Sequence, residues 1–182
     1  AWPYHNGQSE TLLGAWLKTK DRSSVLVTTK LPCWIIEKPE DMEKVFSQQL
    51  EKLGTDYVDF YLVHSLEAER WSKMKELGLF RFLDGLKASG RARHIGFSFH
   101  DEYPVFEEIL RSYPWDICQI QYNYMDRNIQ AGDKGYALAK ELGIPMAIME
   151  PVKGGSLADP PEAVRQVLAR QGAGSGAAWA LR

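Results

Sequence analysis

The chain has 182 residues, 45% of them hydrophobic and 25% charged, and a formal net charge of −2, the composition of an ordinary globular domain. Its 22 basic and 24 acidic residues leave no basic excess to hold phosphate backbones, which argues against nucleic acid as a partner. No apolar run approaches the roughly 20 residues of a membrane helix, and no signal peptide opens the chain, so no membrane association is expected. Cys33 and Cys118 lie too far apart to build a disulfide framework or a metal cluster, so no metal site is expected and a reducing, cytoplasmic setting is the default.

In chain order, residues 1–7 read as a loop punctuated by Pro3 and by Asn6-Gly7. Leu12, Leu13, Trp16 and Leu17 give 8–18 a helical spacing, with Ser9 as N-cap and Glu10 in the first turn. Val25 to Lys30 is a β-branched strand closed by a lysine. Pro39 to Leu53 carries Met42, Val45, Phe46, Leu50 and Leu53 on one stripe and stops at Gly54, which predicts a helix. Val58 to His64 follows at once. It is apolar almost throughout, as suits a strand covered on both faces, and it ends in a titratable ring.

The second half repeats the rhythm. A helical run over 71–87 is split or bent at Gly78, and 94–99 reads as a strand. Val105, Phe106, Ile109 and Leu110 mark a short helix, 117–122 a strand, 132–142 a helix and 146–149 a strand. Pro161 to Arg170 is a last helix, ended at Gly172 and followed by a loose, glycine-rich tail. Five strands separated by single helical segments, at about 30 residues per unit, make the repeat of a parallel α/β fold. A doubly wound sheet would place a glycine-rich phosphate fingerprint after its first strand, and none is present. An eight-stranded (β/α)8 barrel needs none but takes about 250 residues, so the expected fold is a partial barrel. In such a sheet the carboxyl ends of the strands carry the chemistry, which puts His64 forward.

The run from Leu53 to His64, Leu-Gly-Thr-Asp-Tyr-Val-Asp-Phe-Tyr-Leu-Val-His, is similar to the signature around the catalytic histidine of the aldo-keto reductases. Ala1-Trp2-Pro3-Tyr4 resembles the end of that family's Asp-x-Ala-x-x-Tyr motif, Thr28-Thr29-Lys30 its lysine-terminated third strand, and Ile95-Gly96-Phe97-Ser98 its fifth. The resemblance implies one incomplete TIM-barrel domain over 1–182, showing strands three to seven. Strands one and two and the tetrad aspartate would then fall before Ala1, and strand eight after Arg182. Gly96-Phe97-Ser98-Phe99-His100-Asp101, with 119–124 and Met149-Glu150-Pro151, looks like a prokaryotic branch that often appends an iron–sulfur segment, of which nothing is present in this sequence.

What the resemblance implies for the site has a physical rationale. Reducing an aldehyde or ketone needs a hydride at carbon, which a nicotinamide supplies, and a proton at oxygen. A tyrosine holds its proton too tightly for this until a nearby cation loosens it, so Tyr4 is expected as the acid with Lys30 as the cation. His64 would hydrogen-bond the substrate oxygen. Ser98 and Gln119 match the residues that hold the nicotinamide carboxamide, with Phe99 where an asparagine is usual. Met149 stands where many members stack a tyrosine on the ring, and a thioether can pack there too. Lys153, Gly154 and Gly155 would approach the cofactor phosphates. NADPH is the expected nucleotide, with NADH possible, and a small carbonyl compound the expected substrate. His5, Trp34 and His100 follow strand ends and are candidates for the substrate mouth.

Two other readings belong beside this one. Some barrels of this family are accessory subunits, so a nicotinamide-binding sensor or interaction module with little turnover is the alternative. A chain of five strands alone would expose two sheet edges and one side of its core, which predicts association or aggregation.

Overall fold

The structure is a computed structural model that describes residues 4–172 and 174–182. Five strands, β1 (Thr28–Pro32), β2 (Val58–Leu66), β3 (Ala92–Phe99), β4 (Ile117–Gln121) and β5 (Met146–Met149), form one sheet. Every pairing is parallel and the order is strictly sequential, 1-2-3-4-5. A doubly wound sheet reverses order at a switch point, whereas a sequential parallel order with a helix after each strand is an arc of a (β/α)8 barrel. The helices are α1 (Ser9–Leu17), α2 (Pro39–Leu53), α3 (Ala68–Glu76), α4 (Leu79–Ala88), α5 (Tyr103–Ser112), α6 (Gly132–Glu141), α7 (Glu162–Arg170) and α8 (Gly176–Ala180).

The hydrophobic core lies between the helices and one face of the sheet. Alternate strand residues, Tyr61 and Val63 of β2, Ile95 and Phe97 of β3, and Cys118 and Ile120 of β4, pack against Phe46, Met74, Leu83, Phe106 and Leu138 from the helices. Each fully buried large side chain contributes roughly 1.5–3 kcal/mol of transfer free energy. The opposite face carries the other half of the alternation, including Lys30, Leu62, His64, Ser98 and Gln119. The strand period therefore separates what holds the fold from what forms the site.

Several local features follow from chemistry legible in the sequence. α2 runs from Pro39 at its first turn to Leu53, and Gly54 stops it in the left-handed region, φ 63°. Gly78, φ 78°, divides the predicted 71–87 helix into α3 and α4. Other expectations need correction. Gln8 takes the cap position before α1, rather than Ser9, and its side chain makes no capping bond. β1 begins at Thr28, not Val25: the Val27 carbonyl still accepts from Asp59 and Phe60 of β2, but its N–H is taken by the Asp59 carboxylate (2.8 Å). The strand also runs past Lys30 to Pro32, and β2 runs past His64 to Leu66, through an irregular register with Ser65 at φ 56°. The glycine-rich tail is not loose throughout: Ser175 accepts a bond from the Ala178 N–H and caps the short α8.

At the amino-terminal end of the sheet, Asp59 is 1% exposed and its carboxylate is fully engaged. Oδ2 accepts from the Val27 N–H and from Arg22 (2.9 Å), and Oδ1 accepts from Arg93 (2.9 Å). The two guanidinium groups lie against the Tyr57 ring, each 4.0 Å from its centroid. Burial pushes the Asp59 carboxyl up, but the Val27 amide and the two arginines outweigh it and hold it below the usual range.

Candidate active site

Lys30 is placed by a buried polar relay behind its strand. Gln49 of α2 donates to the Lys30 carbonyl (2.8 Å) and accepts from the Tyr61 hydroxyl (2.9 Å), while Thr29 donates to Glu10 of α1 (2.5 Å). With its backbone fixed from behind, the Lys30 side chain points to the other face. It is 9% exposed, and burial lowers its pKa. Its Nζ donates to Gln119 Oε1 (2.5 Å) and lies 5.9 Å from the centroid of the Tyr4 ring. The ammonium thus reaches from β1 to β4 and has a neutral amide as its hydrogen-bond partner.

Tyr4 sits in a short turn, Tyr4–Gly7, and is 47% exposed. Its hydroxyl is 3.1 Å from His64 Nε2. His64 is 6% exposed, and its ring centroid is 5.0 Å from that of Trp34. Burial first, then the positive charges of Lys30 and Arg70 and the nearby His100 imidazole, pull its pKa down to about 4. The imidazole is therefore neutral at physiological pH. A neutral ring carries one proton; Nε2 faces the tyrosine oxygen, and Nδ1 is buried without a partner among the described residues. Tyr4, Lys30 and His64, drawn from separate segments, converge at the carboxyl ends of β1 and β2. A phenol, a neutral imidazole and a buried ammonium in that arrangement can bind an oxygen atom and hand it a proton.

The other sequence-derived positions divide into two groups. Ser98 and Gln119 are register partners in β3 and β4. Ser98 Oγ accepts from the Ser65 N–H (2.8 Å), which leaves its own O–H as a donor. Gln119 gives its Oε1 to Lys30 and keeps its Nε2 without a hydrogen bond among the described residues. Ser98 is fully buried and Gln119 partly buried, so Gln119 Nε2 is the donor that an arriving carboxamide oxygen meets first. Met149, half-buried, ends β5 opposite Gln121. Lys153 and Gly154 are already engaged: the Lys153 ammonium pairs with Asp126, and the Gly154 N–H donates to Glu150 Oε2 (2.6 Å). A phosphate arriving there competes with two carboxylates. Gly155 is exposed, with its N–H bonded to the Val152 carbonyl. Trp34 stands beside His64, and His5 and His100 are exposed, His100 with its pKa lowered by burial first and further by Lys30 and Arg70. The residues Ala1 to Pro3 of the tyrosine motif lie outside the described residues.

One participant escaped the sequence reading. Arg70, in the first turn of α3, lies over Trp34 with Cζ 5.9 Å from the ring centroid, and its Nη1 donates to the Ser65 carbonyl (2.9 Å) and hydroxyl (3.2 Å). The available signal was its place: the amino-terminal turn of a helix favours acidic residues, so an arginine there asks for a reason.

Comparison with known proteins bears on the family and the fold. A profile described as the aldo/keto reductase family matches residues 1–172. The NADH-specific methylglyoxal reductase of Escherichia coli (strain K12) is 26% identical over 178 residues, covering 85% of this chain and 51% of the relative. The holo form of the aldo-keto reductase AKR11C1 from Bacillus halodurans superposes with a TM-score of 0.69 at 25% identity, covering 84% of this chain and 49% of that one. An aldo/keto reductase from Brucella melitensis has the same TM-score and identity, with coverages of 91% and 61%. The chain thus spans about half the length of the first two relatives. The sequential parallel five-strand arc and a profile match over nearly the whole sequence lead to one conclusion: the chain belongs to the aldo/keto reductase family.

Proposed function

We propose that this chain carries the site of a nicotinamide-dependent reductase that converts an aldehyde or ketone to an alcohol. The observation that carries the reading is the 3.1 Å contact between the Tyr4 hydroxyl and His64 Nε2, with the buried Lys30 ammonium against the same tyrosine ring. The bound nicotinamide supplies the hydride to the carbonyl carbon. His64, neutral and desolvated, holds the substrate oxygen by a hydrogen bond from Nε2 and fixes the carbonyl's direction. Tyr4 releases its proton to that oxygen as negative charge develops, and Lys30 stabilises the phenolate left behind. Ser98 O–H and Gln119 Nε2 hold the carboxamide and so set which face of the ring meets the substrate. Lys30 and Gln119 are bonded to each other, so one contact links the proton donor's cation to the cofactor's seat. The buried thiols of Cys33 and Cys118 suit the cytoplasmic setting expected from the sequence.

NADPH is the expected nucleotide and NADH the alternative. Titration of each into the protein, followed by tryptophan fluorescence, separates binding from turnover. Saturable quenching is expected, and Gln119→Leu is expected to weaken binding about tenfold, as for loss of a well-placed hydrogen bond in a closed site. Binding with no reduction of any simple aldehyde or ketone would favour the sensor module, and failure to bind either nucleotide would end the reductase reading.

A further inference from the structure

Two features of the site mouth remain unused by the proposed chemistry: Arg70, and the exposed face of Trp34. Trp34 is 39% exposed and lies between the His64 imidazole, with centroids 5.0 Å apart, and the Arg70 guanidinium, with Cζ 5.9 Å from the indole centroid. The guanidinium therefore lies no farther from the imidazole than the sum of those two distances. Arg70 is held in place from below by Ser65, whose carbonyl and hydroxyl both accept from Nη1, and Ser65 is itself fixed by Ser98. Ser65 sits at φ 56°, a backbone conformation uncommon for a non-glycine residue, at the irregular end of β2.

Lys30 is buried with a neutral partner, and Arg70 is balanced by one acid, Glu67, through Nε at 3.3 Å. Arg70 Nη2 makes no hydrogen bond among the described residues, and the side chain is 32% exposed. Burial first, then Lys30 and Arg70, lowers the pKa of His64 and of His100, so both cations face the two imidazoles.

We propose that Arg70 is a substrate-selecting residue, receiving the carboxylate of an anionic aldehyde or ketone whose carbonyl is presented to His64 and whose body rests on Trp34. A planar guanidinium suits a carboxylate better than a lysine would, because it offers paired N–H groups in one plane. The span from Arg70 to His64 across one indole calls for a short body, such as a single aromatic ring, between the two functional groups. This inference rests on the reductase reading for the role of His64, but its test needs neither nucleotide nor turnover.

The test is calorimetric titration of 4-formylbenzoate and of its uncharged match, 4-formylbenzamide, into wild type, Arg70→Gln and Arg70→Lys. Wild type is expected to bind the carboxylate about tenfold tighter or better, as for a hydrogen bond to a charged group. Arg70→Gln is expected to bring the two ligands to near parity by weakening the carboxylate alone, with Arg70→Lys in between. Circular dichroism confirms that each variant is folded, and retained binding of the amide shows that the site is intact. Equal affinity in wild type overturns the proposal. So does a carboxylate preference that survives Arg70→Gln, since the anion would then sit at Tyr4 and His64. A protein that fails to reduce carbonyls but shows the Arg70-dependent preference would sink the reductase reading and leave the anion site standing.

Discussion

Replacing Tyr4 with Phe is expected to lower kcat for carbonyl reduction by about 10² to 10⁴, the usual worth of a positioned general acid, while nucleotide affinity stays within about twofold. The split matters more than the size of the loss. The Tyr4 hydroxyl touches His64 and its ring lies 5.9 Å from the Lys30 ammonium, whereas the donors assigned to the carboxamide, Ser98 and Gln119, sit on β3 and β4. Removing one oxygen from a half-exposed side chain leaves no cavity and no buried polar group without a partner beyond His64, so stability should change little. A parallel fall in kcat and nucleotide binding would place Tyr4 in the cofactor's seat and contradict the assignment. Unchanged kcat would remove Tyr4 from the chemistry.

The second large effect is on stability. Asp59→Ala is expected to destabilise the fold by about 3 kcal/mol, the lower part of the range for breaking a buried charge network, because Arg22 and Arg93 can turn partly to solvent. For a domain of this size that corresponds to a fall in melting temperature of roughly 6–12 °C. The cost has two origins: the Val27 N–H, just before β1, loses its acceptor, and two arginines stacked on Tyr57 lose their common counter-charge. Asp59→Asn keeps an oxygen for Val27 and is expected to cost less. The pH dependence follows from the lowered carboxyl pKa. In the unfolded chain the group ionises near its ordinary value, so the stabilisation is complete above that value and fades as pH falls through the lower, folded one. Asp59→Asn should lack that acid-limb contribution. A melting temperature within about 2 °C of wild type for Asp59→Ala would show the network to be dispensable.

How far the sequence carried can be judged residue by residue. The extent of α2 and of β5, and the break at Gly78, were legible because a proline, a glycine and an apolar stripe act locally. The sequential parallel sheet was legible in the spacing of strands and helices. Tyr4 and His64 were named together, and they do meet. What escaped was non-local. Val25 to Val27 have strand propensity, but a carboxylate 32 residues on takes the Val27 amide. Lys30 was expected as the cation for Tyr4, but its hydrogen bond to Gln119, 89 residues away, was not foreseen. Lys153 reads as a free charge until Asp126, 27 residues earlier, is seen beside it. Arg70 gained meaning only when Trp34 and Ser65 came into contact with it. Pairing of charges across a sheet depends on register, and a single sequence does not display register.

The central claim is that this site moves a hydride from a nicotinamide to a carbonyl carbon under the control of Tyr4 and His64. The most direct measurement supplies the reduced nucleotide, NADPH or NADH, with deuterium on both positions of nicotinamide C4, together with an aldehyde, and analyses the product by mass spectrometry and NMR. One deuterium on the former carbonyl carbon, with a solvent-derived proton on oxygen and loss of the product in Tyr4→Phe, is the predicted result. An alcohol carrying no deuterium, or nucleotide bound tightly with none consumed, would contradict it.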